Sequence, residues 1–190
     1  MKKILMTLAI MMVTVCASAQ VYLGGTAGIA SFGGENSDDE TAFKILPEIG
    51  YNLNNSWAIG TTIGYAKGTS ISLLGANSMM DGAVNGFDAK AFVFKPYARY
   101  TFLHSKVVNL FFDLGLGFEA GEVNKNDFTA WNIGIQPGVA VNLNSHFSFV
   151  AKAGFLGYES LNPDGDNNNT HAFGLDLNGN NLSFGVYYNF

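Results

Sequence analysis

The sequence predicts an all-β fold: an eight-stranded antiparallel up-and-down barrel that crosses a membrane, with short turns at one end and long loops at the other. Three observations predict it. Apolar and polar residues alternate with period two over runs of about 10–14 residues, whereas ordinary strands average about 5–6 and a tilted membrane strand needs about 9–11. The connections between these runs alternate short and long, the pattern of a membrane-spanning barrel. Beyond the first twenty residues no uncharged apolar run reaches the ~18 residues of a helical span.

The chain opens with a targeting segment. Met1-Lys2-Lys3 is a short basic stretch, Ile4 to Val15 is apolar, and Ala17-Ser18-Ala19 is a small-x-small cleavage site. The apolar run is too short to cross ~30 Å of hydrocarbon as a helix. A cleaved leader over 1–19 is expected, with Ala17 and Ala19 at the site and Gln20 the first mature residue; residues 20–190 form the barrel domain. The rivals are an uncleaved anchor and a lipoprotein signal acylated at Cys16, but Val15 is larger than the small residue such signals carry there.

Eight strands follow, at 21–31, 42–53, 57–67, 89–102, 107–119, 130–143, 147–158 and 180–190. In the second, Phe43, Ile45, Pro47, Ile49, Tyr51 and Leu53 share one face, and Lys44, Leu46, Glu48, Gly50 and Asn52 the other, because successive side chains point to opposite sides. The fourth sets Phe92, Phe94, Ala98, Tyr100 and Phe102 against Lys95, Tyr97 and Arg99. The fifth sets Leu110, Phe112, Leu114, Leu116 and Phe118 against Asp113, Gly115, Gly117 and Glu119. The sixth sets Trp131, Ile133, Ile135 and Val139 against Asn132, Gly134, Gln136 and Gly138. Short turns are expected at 54–56, 103–106 and 144–146, and long polar loops at 32–41, 68–88, 120–129 and 159–179. Pro47, Pro96 and Pro137 fall inside strands, where each removes a ladder donor, so bulges or local mispairing are expected there. A further bulge or turn is expected at 178–181, where the alternation slips.

Composition fits a wall with one greasy side. Charged residues are 13% of the chain, about half the usual share of soluble domains. A formal net charge of −5 argues against a nucleic-acid partner, which would need a basic face. The single cysteine excludes a disulfide framework and a cysteine-based zinc site. Aromatic residues of the apolar phase band at two depths: Tyr51, Trp57, Tyr100, Phe102, Phe147, Tyr188 and Phe190 near the turns, and Phe43, Tyr65, Phe92, Phe118, Trp131 and Phe155 near the loops. Two such girdles mark the two headgroup boundaries.

The polar phase faces a bore that eight strands leave just wide enough for side chains. Glu48, Lys95, Arg99, Asp113 and Lys152 are expected to pair there, since an unpaired buried charge is costly. Inward glycines would leave room for water, and Tyr97, Phe111 and Tyr187 would fill some of it.

Catalytic, cofactor and metal sites are not expected. His104 and His146 fall in short turns. His171 with Glu159 and Ser160 is the one possible hydrolytic trio, without recognisable spacing. The run from Asn162 fails as a calcium loop, because Asn169 and Leu175 stand where Gly and Glu are required. Gly115-Leu116-Gly117 has no following helix, so a nucleotide loop is rejected.

The chain ends Leu182-Ser183-Phe184-Gly185-Val186-Tyr187-Tyr188-Asn189-Phe190, an alternating run closing on Tyr188 and Phe190. This ending resembles the last-strand signal that the insertion machinery reads in bacterial outer-membrane proteins. The mature chain as a whole resembles the eight-stranded outer-membrane β-barrels related to OmpX and the OmpA transmembrane domain. The runs Lys95-Pro96-Tyr97-Ala98-Arg99-Tyr100 and Gln136-Pro137-Gly138-Val139 are similar to the "porin family" small barrels of Bacteroidetes-type bacteria. The resemblance implies an outer-membrane location with both mature termini in the periplasm. It implies lipid and lipopolysaccharide neighbours and a monomer. The expected role is non-catalytic: envelope structure, or surface interaction through the outer loops. The alternative is a narrow porin-like channel for ions or small solutes; an exported soluble ligand-binding barrel and an outer-membrane lipid hydrolase fit less well.

Overall fold

A computed structural model describes residues 20–34, 37–67, 90–123, 125–163, 170–176 and 183–190; the expected leader, Ala17 and Ala19 among it, and the segments at 68–88 and 178–181 lie outside them. Ten strands are present in these residues: β1 (Val21–Gly34), β2 (Ser37–Asn52), β3 (Trp57–Lys67), β4 (Lys90–His104), β5 (Val108–Val123), β6 (Asn126–Asn142), β7 (Phe147–Lys152), β8 (Phe155–Pro163), β9 (Thr170–Asp176) and β10 (Ser183–Asn189). Their order around the sheet is β5-β4-β3-β2-β1-β10-β7-β6-β8-β9, and β5 also pairs with β6. All ladders are antiparallel. β7 and β8 follow one another along β6 as a single wall strand, and β9 and β10 form the next. The result is a closed eight-stranded barrel, which satisfies the backbone internally as hydrocarbon demands.

The two faces separate as the alternation predicts. Leu114 is 54% exposed on the outside, while the neighbouring Asp113 is 5% exposed within. Trp57, Tyr100 and Phe102 stand outward at the turn end, and Tyr65, Phe92, Phe118 and Trp131 toward the far end. Trp57 packs on Tyr100 at 4.8 Å between ring centres, and Phe102 on Phe112 at 4.8 Å.

Three expectations need correction. First, the strands run farther than the alternation suggests. The β5–β6 hairpin continues to Glu122↔Asp127 and Val123↔Asn126, with Lys125 turning at φ 68°, so 120–129 is not a long loop. β1 and β2 likewise pair up to Gly34↔Ser37, and most of 159–179 belongs to β8 and β9. Polar residues above the girdle read as loop in the sequence, but they continue a ladder that the strands below them have already set in register.

Second, the seventh wall strand changes phase. Gly138 pairs with Lys152 and Ile135 with Leu156, so three steps on β6 face four across it. The extra residue is a bulge at Ala153–Gly154, with Gly154 at φ 68° and the Ala153 amide donating to the Pro137 carbonyl at 3.1 Å. Beyond the bulge the odd residues point inward. Phe155, expected in the outer girdle, is therefore 5% exposed inside the bore.

Third, the inward glycines hold rings as well as space. Tyr22 pairs with Gly50, Tyr97 with Gly60, Phe111 with Gly138 and Tyr187 with Gly24. A Cβ on Gly138 would stand 2.3 Å from the Phe111 ring, and one on Gly24 2.1 Å from Tyr187. Each large ring lies flat over the bare backbone opposite it.

The prolines interrupt ladders. β2 and β3 pair at Ile45↔Tyr65 and resume at Glu48↔Thr62 around Pro47, with no change of register. β4 and β5 skip Pro96 in the same way between Phe94↔Phe118 and Tyr97↔Gly115. Only Pro137 faces a true bulge.

Leu114→Arg is expected to destabilise the barrel by about 2–4 kcal/mol, and Gln136→Lys, which sets a charge opposite Asp113 inside, by clearly less. Urea titrations of refolding into lipid vesicles check the order, and equal losses would contradict the face assignment. In the same assay Gly154→Ala should cost about 1–2 kcal/mol, the strain of a left-handed non-glycine residue.

Candidate functional site

The bore carries its charges in layers. Toward the turn end, β2, β4, β5 and β7 bring Glu48, Arg99, Asp113 and Lys152 together. Arg99 donates to Asp113 through Nε at 2.7 Å and Nη2 at 2.8 Å, the two-pronged geometry that makes arginine–carboxylate pairs strong. The same Nη2 reaches Glu48 at 3.2 Å. Lys152 Nζ lies 3.1 Å from Glu48 and 3.0 Å from Asp113. Two cations and two carboxylates thus alternate around a closed quartet, so no member is left with an uncompensated charge.

Aromatic residues pack this quartet in place. The Tyr97 hydroxyl donates to Glu48, and Tyr187 donates to the same oxygen at 2.5 Å. Tyr22 and Tyr97 share a hydrogen bond of 2.7 Å between their hydroxyls. The Arg99 guanidinium lies 4.0 Å from the Phe111 ring centre, with Tyr22, Tyr97 and Tyr187 at 5.2–5.3 Å, a cation–π cage in which the charge is desolvated by rings instead of alkyl groups.

Lys95, expected in the same network, belongs to another level. It sits four residues along β4 from Arg99, toward the far end. Its ammonium is 3.8 Å from Glu119, and the Glu159 carboxylate also acts on it electrostatically. Glu159 is 1% exposed, and its place in a strand facing the bore follows from the bulge below it; the sequence alone reads it as the start of a loop. Tyr22 also escaped the sequence reading, since the glycine-rich β1 alternates weakly. Two small cavities of about 50 and 60 Å³ lie above the quartet, both touching Lys95, Gln136 and Lys152. Each has room for a few waters.

Still nearer the far end, an apolar cluster lies among the described side chains of the bore. Ala66, Ala91, Phe128, Ala130 and Leu161 form a buried cluster, with Ala172 against it. The hydrolytic trio does not assemble in this region. Glu159 faces the bore, whereas His171 is exposed on the outer face, stacked 6.1 Å from Tyr158.

At the turn end Tyr188 stacks on His146 at 5.7 Å and meets Phe147 and Phe190 edge-on at 5.1 and 4.9 Å. The Phe190 amide donates to the Val21 carbonyl at 3.0 Å, and the Asn52 amide to Gln20 at 2.7 Å, so both ends of the described chain are tied into the wall.

A closed antiparallel wall with lipid-facing rings outside and paired charges inside is the architecture of a membrane-spanning β-barrel. The sequence matches the family model described as "Outer membrane protein beta-barrel domain" over residues 4–190. The chain belongs to that family and is an integral outer-membrane barrel. Its fold is similar to the crystal structure of Neisserial surface protein A (NspA), with a TM-score of 0.50 at 17% identity, covering 91% of this chain and 98% of that one. No curated protein matches the chain.

Removing Arg99 alone leaves two carboxylates facing one lysine in a buried layer. Arg99→Met is therefore expected to lose about 3–5 kcal/mol, and Arg99→Met combined with Asp113→Leu to lose less than Arg99→Met alone. Equilibrium unfolding of the variants in lipid vesicles measures both, and a double variant as weak as the two losses added would argue against coupling.

Proposed function

We propose that the chain is a non-conducting, non-catalytic structural barrel of the outer membrane, monomeric, with its turn end and both mature termini in the periplasm. The observation that carries this reading is a bore closed twice in series. The Glu48–Arg99–Asp113–Lys152 quartet blocks it at one level, and the apolar cluster around Phe128 and Leu161 blocks it at another. An ion would have to break the first layer and then pass the apolar side chains of the second, the kind of constriction that holds channels shut by dewetting.

The rest of the reading follows from the wall. The outward aliphatic band and its two aromatic girdles fit the protein to lipid and lipopolysaccharide. Tyr188 and Phe190, at the end of the last strand, offer the insertion machinery an ordered aromatic edge. The expected cleavage of residues 1–19 delivers the chain to that machinery. Surface interaction, where it occurs, falls to the far-end rim, where Lys90 and Glu122 pair at 2.9 Å beside Asp127.

Planar-bilayer recording tests the closure. The pure protein should show no steady ohmic conductance, and Arg99→Ala should stay closed as well, because the apolar layer remains. A stable conductance from the unaltered protein would overturn the reading in favour of a narrow porin.

A further inference from the structure

The turn end holds a cavity that the structural role does not use. A bowl of about 600 Å³ opens there, floored by Arg99, Phe111 and Tyr187 and walled by the turns that join the strands. Among the described residues its lining contains no acidic side chain. The whole end shares that property: residues 20–23, 50–58, 99–112, 137–150 and 186–190 include Arg99, His104, Lys106 and His146 but no Asp or Glu.

The polar groups of the bowl divide into two sets. Asn54 and Asn144 cap their turns by accepting from the backbone amides of Ser56 and Trp57 and of His146 and Phe147. Asn142 and Asn189 donate to the Lys106 and His146 carbonyls. These amides hold the fold. The side chains of Asn52, Asn55 and Thr101 also line the bowl, yet form no hydrogen bond among the described residues, and Lys106 forms no ion pair there. Arg99 is already held by Asp113 and Glu48, which leaves Lys106 as the exposed cation at the rim.

From this division we infer that the bowl is a binding site for a carboxylate-bearing saccharide of about disaccharide size. Two amides and a hydroxyl, each able to donate and accept, match the vicinal hydroxyls and acetamido groups of a sugar. Lys106, which forms no ion pair among the described residues, takes the carboxylate. The volume lies in the usual range for small-ligand sites. A peptide would instead seek a free strand edge, and the strands at this end are paired on both sides from β1 through β7. The inference rests on the placement of the turn end in the periplasm, where such a ligand would be the glycan of the cell wall.

Calorimetry on the full barrel in detergent micelles tests it with three probes: the disaccharide of N-acetylglucosamine and N-acetylmuramic acid, neutral di-N-acetylchitobiose, and a short polyglutamate. The acidic disaccharide should bind about tenfold more tightly than chitobiose, the ratio one charge-assisted hydrogen bond supplies. Lys106→Glu should abolish that preference, and Asn55→Ala should weaken both saccharides. Heat-modifiable gel mobility confirms that each variant is folded. Failure of both saccharides to bind at millimolar concentration overturns the inference, as does binding of polyglutamate in preference to the disaccharide. Placement is read separately, by labelling Ser105→Cys with a membrane-impermeant maleimide. Protection in intact cells with labelling after lysis supports a periplasmic bowl. Labelling in intact cells overturns the placement, and with it the cell-wall ligand, whatever the calorimetry gives.

Discussion

Eight strands close around a bore that admits about one layer of large side chains at any height, and that narrowness governs the interior. Two bulky residues cannot face each other across a ladder without overfilling it. The structure resolves this by placing a glycine opposite each major ring, as Gly50 stands to Tyr22 and Gly138 to Phe111. The rings then lie along the wall instead of across the bore, and their edges leave a central space that one guanidinium fills. Arg99 is thus enclosed by rings on β1, β4, β5 and β10 and fixed by the Asp113 carboxylate, also on β5.

Charges in such a space are stable only as sets. Desolvation of several ions is repaid when each oxygen and each N–H finds a partner in good geometry. The quartet comes near that condition, with both carboxylates and the Lys152 ammonium partnered and Arg99 bonded through Nε and Nη2, because its members come from four strands whose registers are locked by the barrel. Glu48 shows the degree of satisfaction: Arg99, Lys152, Tyr97 and Tyr187 all donate to it. The layers above follow a different logic, with a looser contact at Lys95 and then small apolar residues around Phe128. A charged quartet near one end and an apolar cluster near the other thus occupy the bore at two heights by different means.

The faces of the wall were legible in the sequence because period two needs only local information. Glu48, Arg99, Asp113 and Lys152 could be assigned to one interior by phase alone, and the structure brings these four together. What phase cannot supply is height. Lys95 shares the face of Arg99 but lies four residues farther along a tilted strand, which puts it beside Glu119. Phase also fails wherever a single residue is inserted. The alternation through Phe147, Phe149 and Phe155 reads as one continuous greasy face, and only the register against β6 reveals that Gly154 has turned the strand over. Strand ends were misjudged for a related reason. Above the lipid boundary nothing selects apolar residues, so the hairpins continue in polar sequence that resembles loop.

The three prolines share a logic with these failures. Each lies in the outward phase, and around each the ladder breaks on one side while the other neighbour stays paired: Pro47 with Gly25, Pro96 with Thr61, Pro137 with Phe112. A proline lacks one donor and no acceptor, so it removes a single bond from a two-sided strand. Two of the breaks leave the register intact, since the strand needs only to pull away locally. At Pro137 the neighbouring strand adds a residue, and the Ala153 amide in that bulge donates to the Pro137 carbonyl. The bulge thereby restores a hydrogen bond at the interruption while turning Phe155 and Glu159 into the bore. One missing N–H on β6 and one glycine across from it together decide which residues of the seventh wall strand face the interior.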